Sequence, residues 1–331
     1  MSESLNKIPV IAVVGPTASG KTAFAVALAK KIGAEIVSAD SMQIYKGMDI
    51  ASAKPTAQEM QGVPHHLIGF LDPTEGYSVA RYIKDATEII KDIHSRGKRV
   101  IICGGTGLYV DSLLGNIVFD EQPDNTAVRK ELRLRREKEG IEAIYRELSE
   151  IDPETAASLH INNEGRVLRA LETYYLTGEK PSVLRSRSRS VPTPYDSIYF
   201  CLNYKDRDIL YDRINRRVDI MLENGLAQEA REYFSLSPDN TSAQAIGHKE
   251  LAGFLRGEIS LGEASDNLKK ATRHYAKRQL TWFRRNENIN TIYCDTFSGI
   301  DEMTDFAADL IDKSEIYKVG EALEKAEENQ N

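Results

Sequence analysis

The chain has 331 residues, 41% of them apolar, enough for a substantial core and, by length, for about two domains. Its three cysteines, Cys103, Cys201 and Cys294, form no C-x-x-C pair, which argues against a zinc module or a disulfide framework and suits a reducing compartment. The formal net charge is −7, no apolar run reaches membrane length and no apolar leader is evident, so a cytoplasmic protein without a membrane partner is expected.

The first elements in chain order are the most informative. Residues 10–13 are continuously apolar, the pattern of a strand buried on both faces in a parallel sheet, and residues 23–31 have a helix pattern. Between them Gly15, Pro16, Thr17, Ala18, Ser19, Gly20, Lys21 and Thr22 fill the phosphate-cradling pattern G-x-x-x-x-G-K-[ST]. Its glycines let backbone N–H groups and the positive end of the helix converge on an anion, with Lys21 as a point charge and the Thr22 hydroxyl suited to Mg²⁺. The loop alone does not say which phosphate it holds.

Residues 34–40 read as a second strand, 79–95 as a helix with Ile83, Ala86, Ile90 and Ile93 on one side, and 99–105 as a third strand. An ordinary ATPase ends such a strand in an Asp that helps hold Mg²⁺. Here Gly104, Gly105 and Thr106 stand instead, leaving room for a ligand or backbone to approach. The carboxylate is Asp40, on the sheet edge where α/β folds bind ligands. It is a candidate general base toward an acceptor nucleophile, or alternatively a helix cap or a ligand of a Mg²⁺-bound water. Ser41, Gln43 and Tyr45 offer hydrogen bonds beside it, and the Gln43 amide could read an adenine edge or simply belong to an exposed turn.

Residues 126–178 show only charged amphipathic helix patterns, broken at Gly140, at Asp152 and Pro153, and at Asn162 and Asn163. "RSRSRS" (185–190) with Pro192 and Pro194 reads as a linker, 197–204 as a strand and 207–234 as one long helix. The expected organisation is an α/β, P-loop NTPase-like core with a mainly parallel sheet (1–120 and 196–315), an all-helical insertion domain (121–195) and an acidic tail (316–331). From Asp301 onward there are 10 acidic and 3 basic residues, so this segment carries the whole net charge. Residues 266–285 hold 7 Lys or Arg against one Asp, and Lys270, Arg273, Lys277 and Arg284 recur at helical spacing. Such a stripe suits a nucleic-acid backbone, or is merely a solvated face.

Taken in order, "GPTASGKT", "DSMQIYKGMDIASAKP", "PHHLI", "GGTGLY", "NEGRVLRALE", "AIGHKEL" and "RHYAKRQLTWFRR" closely resemble the bacterial tRNA dimethylallyltransferases, from about Ile8 to Arg285. The resemblance implies transfer of a dimethylallyl group from dimethylallyl diphosphate to the exocyclic amine of the tRNA adenine immediately 3′ of the anticodon. The loop would then hold a diphosphate rather than ATP, with Mg²⁺ as cofactor. Asp40 matches the family's general base, Thr106 the residue near the bridging oxygen, and Lys21 and Arg217 the cationic partners of the leaving group. Arg213 is second choice; Leu210, Ile214, Val218 and Met221 form the buried stripe that Arg217 borders, with Arg216 nearer the opposite face.

For RNA the resemblance implies Asp40, Ser41, Met42 and Gln43; Gly165, Arg166, Val167, Leu168 and Arg169; Gly247, His248 and Lys249; Arg273, Lys277, Arg278 and Arg284; and Arg129. The partner is the anticodon stem-loop of tRNA, bound by a monomer, with the target base extruded. Locally, Val167, Leu171 and Tyr174 share one helix face while Arg166 and Arg169 share another, which lets one face pack and the other meet phosphates. The chain departs from the family at His248, where many members carry Tyr or another residue, and in "RSRSRS", which is outside the pattern. His65 and His66 fit it, and a structural role is expected for them. Two other activities remain open: prenylation of free adenine nucleotides, which would need neither insertion nor basic helix, and a P-loop small-molecule kinase. A non-catalytic RNA-binding protein would need none of Lys21, Asp40 and Thr106.

Overall fold

The computed structural model describes residues 7–117, 126–188, 191–236, 241–314 and 316. Two compact units emerge, Met1–Leu114 with Thr193–Asn331, and Gly115–Pro192. In the first, strands β1 (Ile8–Val14), β2 (Ala34–Ser38), β3 (His65–His66), β4 (Arg99–Cys103), β5 (Tyr195–Asn203) and β6 (Ile289–Tyr293) form one sheet in the order β3-β2-β4-β1-β5-β6. Every pairing is parallel. The phosphate-loop pattern follows the central strand, so this is the P-loop NTPase-like α/β core that the sequence leads one to expect.

Helices α1 (Lys21–Ile32), α2 (Ala57–Met60), α3 (Val79–Ser95) and α4 (Gly107–Leu114) alternate with the first four strands. The apolar run of β1 follows from its place in the middle of the sheet. Val10, Ala12 and Val14 face the cluster holding Ala86, Ile90 and Ile93 of α3. Ile11 and Val13 face Phe24 and Leu28 of α1. Helix α3 has the bounds read from the sequence, with Tyr82 also on its buried face and Ile83 half-buried. The two short strands β3 and β6 lack a period of their own and are not legible in the sequence. His65 and His66 form β3: His65 Nδ1 donates to the Val63 carbonyl at 2.8 Å, and His66 Nε2 lies 2.8 Å from Glu35 Oε2. Arg96 closes on the same carboxylate and, despite the cost of burial, holds it down to about 2.

The unit Gly115–Pro192 is helical: α5 (Thr126–Glu139), α6 (Ile141–Ile151), α7 (Pro153–Ala157), α8 (Glu164–Thr177) and α9 (Pro181–Ser188). Its own core joins Leu132, Ile144, Leu148, Ala156, Val167, Ala170 and Leu171. The "RSRSRS" linker is corrected in part, since Arg185 to Ser188 are the last turn of α9 and residues 189 and 190 lie outside the described residues.

The chain then continues through β5, α10 (Arg207–Glu223), α11 (Leu226–Ser235), α12 (His248–Leu255), α13 (Leu261–Phe283), β6 and α14 (Ile300–Lys313). The single helix expected over 207–234 is two, because Gly225 adopts a left-handed φ of 95° and turns the chain between α10 and α11. The acidic tail expected over 316–331 lies outside the described residues except for residue 316. Among the described residues no helix is long and apolar enough to cross a membrane.

In the helical unit Asp152, 1% exposed, ties two helices together. Its carboxylate accepts from the Thr155 N–H at 3.0 Å, the Thr155 hydroxyl at 2.7 Å and the Ser182 N–H at 2.8 Å. Burial pushes the carboxyl up, but these bonds outweigh it and hold it below its usual value. A depressed folded pKa means the contribution is present above the unfolded value and lost as pH falls through the folded one. Asp152→Ala should therefore cost about 2 kcal/mol at neutral pH, read from the urea midpoint, with the gap to the parent narrowing below about pH 4. Coincident midpoints at pH 7 would show that the cap adds nothing.

Candidate active site

The phosphate loop leaves β1 at Val14, and its shape depends on three residues with positive φ: Gly15 at 139°, Ala18 at 62° and Gly20 at 95°. At Gly15 a side chain is excluded on two counts, because a Cβ would also sit 2.4 Å from the Leu202 carbonyl oxygen of β5. Lys21, the first residue of α1, folds back so that Nζ donates to the Pro16 carbonyl at 2.6 Å. Two side chains from distant helices fasten the loop. Arg213 of α10 donates through Nε to the Ala18 carbonyl at 2.9 Å. Gln279 of α13 accepts from the Thr17 N–H at 2.8 Å and donates to the Gly105 carbonyl at 2.9 Å.

The glycines after β4 are now explained by packing. A Cβ on Gly104 would meet the Ala39 carbonyl oxygen at 2.2 Å, one on Gly105 would meet Gln279 Nε2 at 2.1 Å, and one on Gly107 would meet the Trp282 ring at 2.3 Å. Trp282 in turn donates Nε1–H to Asp111 at 2.6 Å. The GGTG turn is thus pressed between the end of β2 and one face of α13. Gln279, Tyr275 and Trp282 were not singled out in the sequence, where the basic residues of α13 draw the eye. The four-residue spacing of Tyr275, Gln279 and Phe283 was the available signal for a buried face.

Asp40 and Thr106 meet where β2 and β4 end. Asp40 Oδ1 accepts from the N–H groups of Met42 at 2.9 Å and Gln43 at 3.3 Å. This is a local cap, and it leaves the second carboxylate oxygen without a hydrogen bond among the described residues. The Thr106 N–H donates to the Ala39 carbonyl at 3.1 Å, and its hydroxyl accepts from the Ser41 N–H at 3.0 Å. Tyr275 feels the Asp40 charge; burial, reinforced by that charge, raises its phenol so that it stays protonated. Gln43 is half-buried, its amide donating to the Ser52 and Ala53 carbonyls at 3.4 and 3.3 Å and its oxygen accepting from Ser38 at 3.3 Å.

Opposite the carboxylate stands a set of cations. Burial pushes the Lys21 ammonium down to about 8, Arg217 depresses it further, and Cys103 and Asp40 draw it partly back. Burial likewise lowers Arg217, which Asp40 and Glu59 support and Arg213 opposes. Arg217 is half-buried, as its place beside the Leu210, Ile214 and Val218 stripe requires, whereas Arg216 is exposed. Met221 completes that stripe only partly buried. The arrangement sets one carboxylate beside cations short of negative partners, a ready seat for a polyanion. Thr22 is half-buried at the start of α1. Among the described residues no group of three His, Cys, Asp or Glu could hold a metal. A hydroxyl and one carboxylate fit a Mg²⁺ carried mainly by phosphate oxygens and water, the usual donor set for that ion.

The residues assigned to RNA fare unevenly. Gly165, Arg166 and Arg169 are exposed and Leu168 is half-buried. Val167 is fully buried in the helical core, so a side-chain contact to RNA there is corrected. Arg129 and Arg169 share the buried carboxylate of Glu172, Arg129 Nη2 at 3.0 Å. Lys249 is exposed, but His248 is 1% exposed and bonded to Glu229, and Gly247 is also buried. A direct RNA contact from the His248 side chain is therefore corrected as well. On α13, Lys277, Arg278 and Arg284 are exposed, while Arg273 is half-buried and donates to Asn215 at 2.6 Å.

A polyanion in the loop should return Lys21 to its ordinary, fully protonated state. Inorganic diphosphate is then expected to bind with proton uptake between about pH 8 and 9 beyond the ligand's own ionisation. Its affinity falls as pH rises through that window, because the free protein has already lost the proton. Calorimetry in buffers of different ionisation enthalpy measures the uptake, and Lys21→Met should abolish it. Identical uptake in that variant would remove Lys21 from the account.

A family model described as "IPP transferase" matches residues 43–286. A tRNA dimethylallyltransferase of Caldanaerobacter subterraneus subsp. tengcongensis is 46% identical over 299 residues, covering 89% of this chain and 95% of that protein. One from Bacillus subtilis (strain 168) is 45% identical over 285 residues, covering 86% and 90%. The crystal structure of a full-length tRNA isopentenylpyrophosphate transferase from Bacillus halodurans superposes with a TM-score of 0.69 at 44% identity, over 93% of this chain and 98% of that one. A eukaryotic dimethylallyltransferase crystallised acting on tRNA gives a TM-score of 0.72 at 32% identity, over 86% and 74%.

Proposed function

The chain belongs to the IPP transferase family, and on that premise we propose that it transfers the dimethylallyl group of dimethylallyl diphosphate to the exocyclic amine of the tRNA adenine immediately 3′ of the anticodon. The observation that carries this reading is the pairing of a cation-lined phosphate loop with Asp40, and with a threonine rather than an acid after β4. A kinase must bind a nucleotide and move a phosphoryl group. An alkyl transfer needs the opposite: the phosphates stay in the loop and leave as one unit.

In the reaction the amine nitrogen bonds to the allylic carbon, the carbon–oxygen bond to the diphosphate breaks, and the electron pair departs with diphosphate. Asp40 takes the proton that the nitrogen loses, using the carboxylate oxygen not engaged with Met42 and Gln43. Loop N–H groups, Lys21 and Arg217 meet the charge that develops on the leaving group. The Thr106 hydroxyl, held by Ser41, is suited to the bridging oxygen. Thr22 would hold a Mg²⁺, which would supply further charge neutralisation there. Gly15, Pro16, Thr17, Ala18, Ser19, Gly20 and Thr22 form the cradle. On this reading exposed Arg166, Lys249, Lys277, Arg278 and Arg284 meet RNA phosphates, and Gln43 reads the adenine edge.

The test offers labelled dimethylallyl diphosphate and Mg²⁺ with an anticodon stem-loop, AMP or ATP in separate reactions. Label should enter the stem-loop alone. Asp40→Asn should lower kcat by about 10²–10⁴, and Arg217→Gln by about 10²–10³ with little change in RNA affinity. Label in AMP or ATP would move the acceptor to free nucleotides, and no transfer by folded protein would end the prenyl-transfer reading.

A further inference from the structure

The segment after Asp40, which must hold the acceptor, is a long irregular loop with bonds of its own, such as Lys54 Nζ to the Tyr45 carbonyl at 2.6 Å. A further set of bonds reaches it from α11. Glu229 of α11, 9% exposed, accepts from the Ile50 N–H at 2.7 Å and the Ala51 N–H at 2.9 Å, and from His248 Nε2 at 2.8 Å. Burial pushes its carboxyl up, but His248 and the two backbone groups outweigh that and keep it ionised.

His248 is the second half of the device. Its other ring nitrogen, Nδ1, is buried without a hydrogen-bond partner among the described residues. The ring is held against Tyr233 with centroids 4.6 Å apart. Gly247 has φ 121°, and a Cβ there would press on Ala51 at 3.1 Å, so the 246–250 segment lies directly on the loop. The next two residues, Ser52 and Ala53, provide the carbonyls that orient the Gln43 amide. An unbroken chain of contacts therefore runs from Glu229 and His248, through the 50–53 backbone, to Gln43.

We propose that Glu229 and His248 are positioning residues that set the acceptor loop, and through it Gln43, for the incoming adenine. The inference rests on the acceptor reading of Gln43 given above. It reassigns the "AIGHKE" stretch in part: Lys249 faces outward, whereas His248 works from beneath, without touching RNA. His248 satisfies the role because it presents a donor to Glu229 and a flat ring to Tyr233.

The test is steady-state kinetics with both substrates varied. Glu229→Gln turns one acceptor toward the loop into a donor, and His248→Phe keeps the ring but removes the N–H. Each should raise KM for the anticodon stem-loop about tenfold or more, in line with an unpaired buried polar group, while KM for dimethylallyl diphosphate stays unchanged. His248→Gln, which can place an N–H near the Nε2 position, should recover most of the loss. In combination with Gln43→Ala, Glu229→Gln should add little. Folded Glu229→Gln and His248→Phe proteins with the parental RNA KM would overturn the proposal, as would an equal rise in both KM values. Should Glu229→Gln fail to fold, the two His248 variants decide. A parental RNA KM in Gln43→Ala alone would instead sink the reading of Gln43, independently of what the Glu229 and His248 variants do to the loop.

Discussion

The active-site half of this molecule depends on keeping like charges together where water is scarce. Burial depresses both Lys21 and Arg217, Arg217 lowers Lys21 further, and Arg213 in turn opposes Arg217. Left to itself, such a pair would separate into solvent. It persists because each cation is placed by an element that is buried for other reasons: Lys21 by the start of α1, whose Phe24, Ala25 and Leu28 are fully covered, and Arg217 by the turn of α10 that buries Ile214 and Val218. Apolar burial on the far side of each helix, at about 25 cal/mol per Å², offsets the electrostatic cost on the near side. On the proposed reading, that stored repulsion is what a diphosphate relieves.

Helix α13 integrates the rest. Its inward face supplies Gln279, which fastens the loop after β1 to the turn after β4, and with Trp282 closes on Gly105 and Gly107. Its outward face carries Lys277, Arg278 and Arg284. The capping box at Ser260 and Glu263 fixes where the helix begins, and hence the phase of both faces. The position of the basic stripe and the geometry of the phosphate loop are therefore set by one rigid rod. On the proposed reading, RNA held by that face and diphosphate held by that loop are brought into register by the same backbone.

Much of this was legible from sequence because the relevant signals are local. A G-x-x-x-x-G-K-[ST] run between an apolar strand and a helix defines its own geometry, and α3 has a period strong enough to give its ends. The breaks at Gly140 and at Asp152 and Pro153 are turn chemistry, and helices α5, α6 and α7 divide there. One local signal was overrun: Gly225, after Asn224, splits a helix that apolar periodicity alone runs together. Elsewhere signals failed where the determinant is distant. His248 sits in a motif that resembles an RNA-contacting one, but its exposure is decided by Glu229, and nothing in the run "AIGHKE" refers to α11. Gln279 lies in the most conspicuous basic stretch of the chain and is the one polar residue there that matters to the phosphate loop.

The two arginines expected to meet RNA in the helical unit carry the same lesson into energetics. Arg129 and Arg169 converge on Glu172, whose carboxylate is buried. Each fork is thus oriented by a fixed anion. Isolated surface arginines lose rotamer freedom when they grip a phosphate, roughly 1.5–2 kcal/mol for so long a side chain. Here part of that entropy is already lost in the folded protein. Arg166, by contrast, is exposed and makes no ion pair among the described residues. If phosphates bind this helix face, the held pair gives direction and the unpaired arginine gives reach, and the buried Val167 between them keeps the face from turning.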